Sequence, residues 1–120
     1  MPLPDLLHQL LTAAGPSGYE TAPAAVFAQA GRTFTDDVEI DVMGSAVARV
    51  RGTADAERPA PFLAVVGHID EIGLIVTHVD DDGFLRFIGV GGWDPQILVG
   101  QRVELTTREG TVIGVVGRKP

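Results

Sequence analysis

The residues best suited to chemistry are an imidazole and two carboxylates within a short stretch of chain: His68, Asp70 and Glu71. They follow a continuous run of apolar residues, 62–66, that predicts a strand covered on both faces. In open α/β sheets, functional groups collect just beyond the carboxyl ends of the strands. We therefore predict the candidate site of this chain directly after that strand.

The spacing of His68 and Asp70 favours direct contact between their side chains. They are two residues apart, so both could lie on the same side of an extended segment. This suits a metal-binding imidazole whose second ring nitrogen donates to a carboxylate, which fixes its tautomer and raises its basicity. Glu71 would add another oxygen donor nearby. The alternative is a histidine at a strand end that only hydrogen-bonds a neighbouring acid, and these residues alone leave both interpretations open.

Two other motifs favour structural roles. Residues 80–83 resemble the start of a calcium loop but lack its later glutamate, so an exposed hairpin turn is predicted. Residues 89–95 contain three glycines, but no helix start and no P-loop lysine follow, so we predict a bend that presents Trp93 to a partner or a pocket. His8 and His78 stand alone on a predicted helix and strand, and we expect neither at the candidate site.

The composition restricts the class of protein. The chain has 120 residues, of which 45% are hydrophobic and 21% charged, so one folded domain is expected. The net charge of −7 opposes attraction to phosphate backbones and argues against nucleic-acid and anionic-membrane partners. Without cysteine, any metal must be held by His, Asp or Glu. We see no membrane-spanning run and no signal-peptide pattern, so a cytoplasmic location is expected.

Two helices followed by short strands are predicted to position the candidate site. Asp5 is expected to cap a first helix that stops at Gly15, and Ser17 with Glu20 has capping-box spacing for a second helix over about residues 20–30, with Gly31 just after it. Alternating apolar residues and intervening turns then predict strands near 38–42, 46–50, 72–79, 84–88, 102–106 and 111–117.

Several short motifs, in order along the chain, make it similar to a known family. They are GPSGYE at 15–20, DVMGS at 41–45, GHIDEIG at 67–73, DGFLRF at 82–87, GGWDPQ at 91–96 and LVGQRV at 98–103. Along nearly its whole length the chain resembles the N-terminal part of the dinuclear metallo-aminopeptidases of the glutamyl aminopeptidase, tetrahedral-aminopeptidase and cellulase-M-like family.

The resemblance implies an α/β fold in two parts. Residues 1–71 would be the N-terminal segment of a metallopeptidase catalytic domain, with two helices and a mixed sheet. Residues 72–120 would be the first part of an inserted, antiparallel β-barrel-like (PDZ-like) dimerisation domain. The chain would then be a truncated form of a longer enzyme.

The resemblance also implies a function. Family members are metal-dependent aminopeptidases that hydrolyse N-terminal residues from short peptides with two divalent ions, zinc or cobalt. The histidine matching His68 would be a metal ligand, and the aspartate matching Asp70 would be the catalytic-site residue that supports it. The general base of the family is a later glutamate, so Glu71 is not given that role. The expected partners are peptide substrates and further copies of the chain, as dimers that assemble into a dodecamer.

Two departures from the family pattern qualify this expectation. Ser45 stands where the family commonly has asparagine, a small change in a turn. The other metal ligands and the general base of the family have no counterpart here, so the isolated chain is expected to be inactive. The alternative hypothesis is a stand-alone β-rich binding or oligomerisation module without catalysis. A sugar-cleaving enzyme would need a pair of carboxylates across a cleft, and the sequence identifies no such pair.

Overall fold

A computed structural model describes residues 3–53 and 61–118. In chain order the elements are α1 (Asp5–Thr12), α2 (Thr21–Gly31), β1 (Val38–Ile40), β2 (Ala46–Ala48), β3 (Gly73–Val79), β4 (Leu85–Val90), α3 (Pro95–Leu98), β5 (Arg102–Thr107) and β6 (Gly110–Val115). In the described residues the strands pair only with their neighbours in sequence, as three two-stranded antiparallel sheets: β1–β2, β3–β4 and β5–β6. The predicted order, helices first and short strands after, is confirmed.

The helix ends differ from those the sequence predicts. Asp5 is the first helical residue of α1 rather than its cap; the N-cap position is Pro4, which has no side chain able to accept a hydrogen bond. The capping box before α2 does not form either. Glu20 itself occupies the N-cap position, and its carboxylate accepts from the backbone N–H of Gly18 at 2.7 Å. The hydroxyl of Ser17 is used elsewhere, by a carboxylate far along the chain.

Small residues on α2 allow β1 and β2 to approach it closely. Its buried positions are Pro23, Ala24, Ala28 and Gly31. Gly31 was expected just after the helix but is its last residue, and packing explains this: a Cβ there would lie 3.1 Å from Cβ of Ala48 and 3.2 Å from Cγ2 of Val38. Gly31 is therefore needed because it lets the β1–β2 hairpin pack closely against α2, and not because the helix ends in a left-handed conformation.

The predicted strand at 62–66 is wrong. Within the described part of the chain these residues belong to no strand, and their large apolar side chains are 85–94% exposed: Phe62, Leu63, Val65 and Val66. A continuous apolar strand is stable only between neighbouring strands and covering layers, and no described segment lies beside this one. The expected mixed sheet is likewise not observed in residues 3–53 and 61–118. Their single parallel contact is the isolated bridge from Pro16 to Glu71.

The antiparallel prediction for the later residues is confirmed. Strands β3 and β4 form a hairpin whose tip, as predicted, is an exposed acidic turn. Asp80 closes that turn by accepting the backbone N–H of Phe84 on Oδ1 at 2.8 Å, and Gly83 supplies the required positive φ of 83°. Strands β5 and β6 form a second hairpin.

A one-turn helix, α3, follows the glycine-rich segment, where the sequence was not expected to begin a helix. Asp94 is its N-cap and accepts the N–H of Gln96 at 2.9 Å. The helix is only four residues long, so the region remains essentially antiparallel β.

Few side chains are buried. In the described part of the chain the buried apolar residues are Ala24, Ala28, Leu98 and Val116. The molecule extends over 70 × 36 × 29 Å, and most of its large apolar side chains are exposed. None of the described helices combines the length and the apolar character needed to cross a membrane.

Candidate functional site

The candidate site forms where the loop between α1 and α2 meets residues 68–71. Two backbone hydrogen bonds join these segments in parallel: Glu71 N–H donates to the Gly15 carbonyl at 2.9 Å, and Ser17 N–H donates to the Glu71 carbonyl at 3.2 Å. The Glu71 carboxylate also accepts the N–H of Gly15, at 2.9 Å. Glu71 therefore holds the two segments together, and one of its oxygens is already engaged in this structural role.

Asp70 lies at the centre of the site and uses both of its carboxylate oxygens. Oδ2 accepts a hydrogen bond from the hydroxyl of Ser17, and Oδ1 lies 3.0 Å from Nδ1 of His68. The predicted contact between His68 and Asp70 is thus present. The Ser17 hydrogen bond, together with the hydrogen bond and charge of the His68 ring, holds the pKa of Asp70 below its ordinary value. Asp70 is therefore an ionised acceptor near neutral pH.

The surroundings of His68 determine which ring nitrogen carries the proton. Nδ1 lies 3.0 Å from both the backbone carbonyl and Oδ1 of Asp70. Both oxygens are acceptors, so Nδ1 must be the donor, and the neutral ring then has its lone pair on Nε2. The side chain of His68 is 85% exposed. The ring therefore keeps its Nε2 lone pair in a largely exposed side chain, while the other nitrogen is held by a carboxylate.

A shallow groove of about 280 Å³ adjoins these residues. One wall is residues 68–71, and the other is apolar and comes from the helical part of the chain, with Leu10, Leu11 and Pro23. His68 therefore stands between an apolar surface and solvent.

The described residues offer one candidate metal ligand and not a complete set. No cluster of three or more His, Cys, Asp or Glu side chains capable of holding a metal occurs in residues 3–53 and 61–118. His8 lies on α1 and His78 on β3, and no described hydrogen bond or ion pair connects either ring to His68. The geometry around His68 fits a metal ligand with an orienting carboxylate, but the donors for the remaining coordination positions are not among the described residues.

Gly73 and Trp93 support the site from the hairpin side, and neither was assigned this role from the sequence. A Cβ at Gly73 would lie 2.6 Å from Cβ of Pro16, so only glycine lets the start of β3 approach the loop this closely. The indole N–H of Trp93 donates to the Gly73 carbonyl at 2.8 Å. The polar atom of Trp93 is thus used within the chain, and the presentation of its ring to a partner or a pocket stays a prediction.

Ser17 is the site residue that sequence analysis placed incorrectly. Its hydroxyl was expected to cap α2, since Ser17 and Glu20 have the spacing of a capping box. The residues that surround it, Gly15 and Pro16 before and Gly18 after, are typical of a turn and were the available signal that the chain bends here rather than entering the helix.

Comparison with known proteins identifies the family. The profile of the M42 glutamyl aminopeptidases matches residues 44–120, more than half of the chain. FrvX of Escherichia coli (strain K12) is 40% identical over 114 residues, which are 94% of this chain and 30% of FrvX. The lysyl aminopeptidase of Pyrococcus furiosus is 34% identical over 117 residues, which are 97% of this chain and 32% of that enzyme. The chain thus spans about a third of the length of these relatives.

Solved structures show the same relationship. The crystal structure of the TET aminopeptidase from Thaumarchaeota archaeon SCGC AB-539-E09 superposes with a TM-score of 0.85 at 35% identity, covering 97% of this chain and 31% of that one. The dodecameric structure of PhTET1 superposes with a TM-score of 0.77 at 32% identity, covering 100% of this chain and 35% of that one. The resemblance inferred from the motifs is confirmed: the chain belongs to the M42 glutamyl aminopeptidase family.

Proposed function

We propose that this chain contributes a metal-binding histidine and its orienting carboxylate to a metal-dependent aminopeptidase that removes N-terminal residues from short peptides. One observation carries the proposal: Nδ1 of His68 is held by Asp70 at 3.0 Å, while the opposite nitrogen keeps its lone pair in a largely exposed side chain. Membership of an aminopeptidase family supports peptide hydrolysis as the reaction class.

The two residues have distinct roles in this proposal. His68 is a metal ligand through Nε2, and Asp70 fixes the tautomer and the direction of the ring without binding the metal itself. Both oxygens of Asp70 are already engaged, which supports a positioning role. A pair of divalent ions, zinc or cobalt, would polarise the scissile carbonyl and activate a water molecule. The role of general base is not given to Glu71: in the family it belongs to a later glutamate, and one oxygen of the Glu71 carboxylate accepts the Gly15 N–H.

Ligand number limits what these 120 residues do by themselves. A catalytic zinc needs about three protein ligands, and the described residues cluster no such set. We therefore propose that the 120-residue chain binds a divalent ion weakly at His68 and does not turn over peptides unless the missing ligands and a general base are supplied.

We further propose that residues 72–120 begin an inserted β-barrel-like dimerisation domain and that the chain associates with copies of itself. The exposed apolar surface supports self-association: besides residues 62–66, Val42 and Met43 at the β1–β2 turn are 102% and 83% exposed. Among the described residues no further strand pairs with either edge of the two-stranded sheets, which also favours pairing with another chain. The dodecameric assembly of PhTET1 is consistent with this proposal.

Zinc titration of the ¹⁵N-labelled chain, followed by NMR, tests the ligand assignment. In the parent chain we expect zinc to cause saturable chemical-shift changes at the His68 ring. We expect no saturable zinc binding in His68→Ala, whereas His78→Ala, which removes a matched histidine on β3, should bind zinc as the parent does. Unchanged zinc binding in His68→Ala would refute the assignment. If zinc produced no change at His68 in the parent chain, the stand-alone module would be the better interpretation.

Aminopeptidase assays on the same samples test the argument from ligand number. With zinc or cobalt added, the parent chain is expected to show no turnover of short peptides above the His68→Ala background. Robust turnover that disappears in His68→Ala would contradict the argument and would mean that other residues of this chain complete the site.

A further inference from the structure

We propose that Ser17 is a positioning residue that sets the orientation and tautomer of His68 through Asp70. The Ser17 hydroxyl donates to Oδ2 of Asp70, 53 residues away in sequence, and Oδ1 of the same carboxylate contacts Nδ1 of His68. The three side chains form one chain of hydrogen bonds from the loop before α2 to the imidazole. The consequence for metal binding rests on the proposed function, whereas the consequence for the ring tautomer does not.

The second anchor on Asp70 is what makes the contact with His68 specific. The terminal torsion of an aspartate side chain is broad and roughly two-fold, so a single hydrogen bond does not fix the plane of its carboxylate. The side chain of Asp70 is 39% exposed, which gives water access to compete for its oxygens. With Oδ2 held by a hydroxyl, the carboxylate plane is fixed and Oδ1 remains directed at Nδ1. Hydrogen bonds to an ionised acceptor are also stronger than neutral ones.

The backbone holds both ends of the Ser17–Asp70 contact. Ser17 donates its own N–H to the Glu71 carbonyl at 3.2 Å, and Glu71 donates to the Gly15 carbonyl at 2.9 Å. A turn closes over the loop, with Tyr19 N–H donating to the Pro16 carbonyl at 2.7 Å. Backbone hydrogen bonds next to both residues therefore fix the distance between the Ser17 hydroxyl and the Asp70 carboxylate. The contact does not depend on two freely rotating side chains.

The direction of the hydrogen bond distinguishes this role from that of a nucleophile. A catalytic serine donates to an imidazole nitrogen, which removes its proton. Ser17 donates instead to the carboxylate of Asp70, and Nδ1 of His68 is occupied by the same carboxylate, so no imidazole nitrogen accepts the Ser17 proton. The geometry thus makes Ser17 a residue that positions Asp70, and not a nucleophile.

The tautomer of His68 provides a readout that a merely structural role would not change. In ¹⁵N spectra of the neutral imidazole rings, we expect the Nδ1–H form to predominate at His68. Ser17→Ala should lower the ratio of Nδ1–H to Nε2–H about threefold or more, the effect of losing one hydrogen bond of ordinary strength. Ser17→Thr keeps the hydroxyl and should retain the parent ratio. Ser45→Ala, which removes an exposed serine hydroxyl in the β1–β2 turn, should change nothing.

An unchanged tautomer ratio in Ser17→Ala would overturn the proposal. Amide protection of Glu71 reports whether the backbone contact is intact in each variant. If Ser17→Ala opens the backbone contact of Glu71, the Ser17→Thr variant decides. When Ser17→Thr keeps that contact, the parent ratio of Nδ1–H to Nε2–H supports the proposal, and a lowered ratio refutes it.

Zinc titration of the same variants separates this inference from the proposed function. Replacing a residue that hydrogen-bonds a metal-ligating histidine typically lowers the metal affinity by about 10- to 100-fold. Ser17 contacts His68 only through Asp70, so Ser17→Ala should lower the zinc affinity by up to about 10-fold. A tautomer shift in Ser17→Ala without zinc binding to the parent chain would support the positioning role and reject the metal site. Zinc binding at His68 in the parent chain with no tautomer shift in Ser17→Ala would support the metal site and reject the positioning role of Ser17.

Discussion

Replacing Gly73 by alanine is expected to open the contact on which the candidate site depends. The new Cβ would lie 2.6 Å from Cβ of Pro16, closer than real Cβ atoms approach, and 3.0 Å from its Cγ, which is a tight contact. The φ of Gly73 is not positive, so the backbone itself accepts alanine and the clash is the whole effect. Pro16 cannot rotate away because its ring fixes φ. The loop and the start of β3 must therefore move apart.

The cost of this clash follows from the behaviour of overpacked sites, where an inserted methyl group destabilises by about 1–3 kcal/mol. Since about 1.4 kcal/mol corresponds to a factor of ten in an equilibrium constant, local opening should become roughly 5- to 140-fold more frequent. The effect should be local to the two backbone hydrogen bonds beside Pro16, those donated by Glu71 and by Ser17.

Amide hydrogen exchange followed by NMR measures this opening without requiring the whole chain to unfold cooperatively. Gly73→Ala should lower protection of the Glu71 and Ser17 amides by the factor given above. The amide of Val116, which donates to Gln101 at 2.9 Å near the β5–β6 hairpin, should be unaffected. Gly67→Ala is the matched control, because a Cβ there meets no atom within 4 Å. Equal protection of the Glu71 amide in the two variants would refute the argument.

Two further predictions concern the hairpins. Gly91 and Gly83 have nearly equal φ values of 85° and 83°, but only at Gly91 would a Cβ meet another side chain, 2.4 Å from Cγ2 of Ile72. Gly91→Ala should therefore lower amide protection in the β3–β4 hairpin more than Gly83→Ala, and equal losses would contradict the packing argument. The pKa of Glu39 is lowered by its hydrogen bond and ion pair with Arg49, so its contribution to hairpin stability is complete above its ordinary pKa of 4.5 and lost as the pH falls through the lower folded value. NMR titration should place the Glu39 midpoint below 4.5 and return it toward 4.5 in Arg49→Gln, and an unchanged midpoint in that variant would exclude the ion pair as the cause.

Local patterns in the sequence were sufficient for the hairpins and for the pair formed by His68 and Asp70. The hairpins follow from alternation and turn residues, because an antiparallel pair joined by a tight turn forms its hydrogen bonds between near neighbours. The contact between His68 and Asp70 was predictable for the same reason, since two residues of extended chain bring both side chains to one side.

Burial was not predictable from local pattern. The apolar run 62–66 has the composition of a buried strand, yet in the described structure it is exposed, because burial depends on what lies on both sides of a strand and not on the strand itself. Nor did the sequence indicate that the indole N–H of Trp93 donates to a carbonyl 20 residues earlier.

Sequence patterns were therefore enough for the family, the first two helices, the three hairpins and the histidine–carboxylate pair. The tertiary structure alone decided that Ser17 reaches Asp70, that Glu71 joins the loop before α2 to the segment after residue 67, and that Gly73 allows Pro16 to approach β3. The physical reason is separation along the chain. The N-terminus of α2 was a plausible local partner for the Ser17 hydroxyl. The carboxylate of Asp70 came within reach only because the backbone at Pro16 pairs with the distant backbone at Glu71.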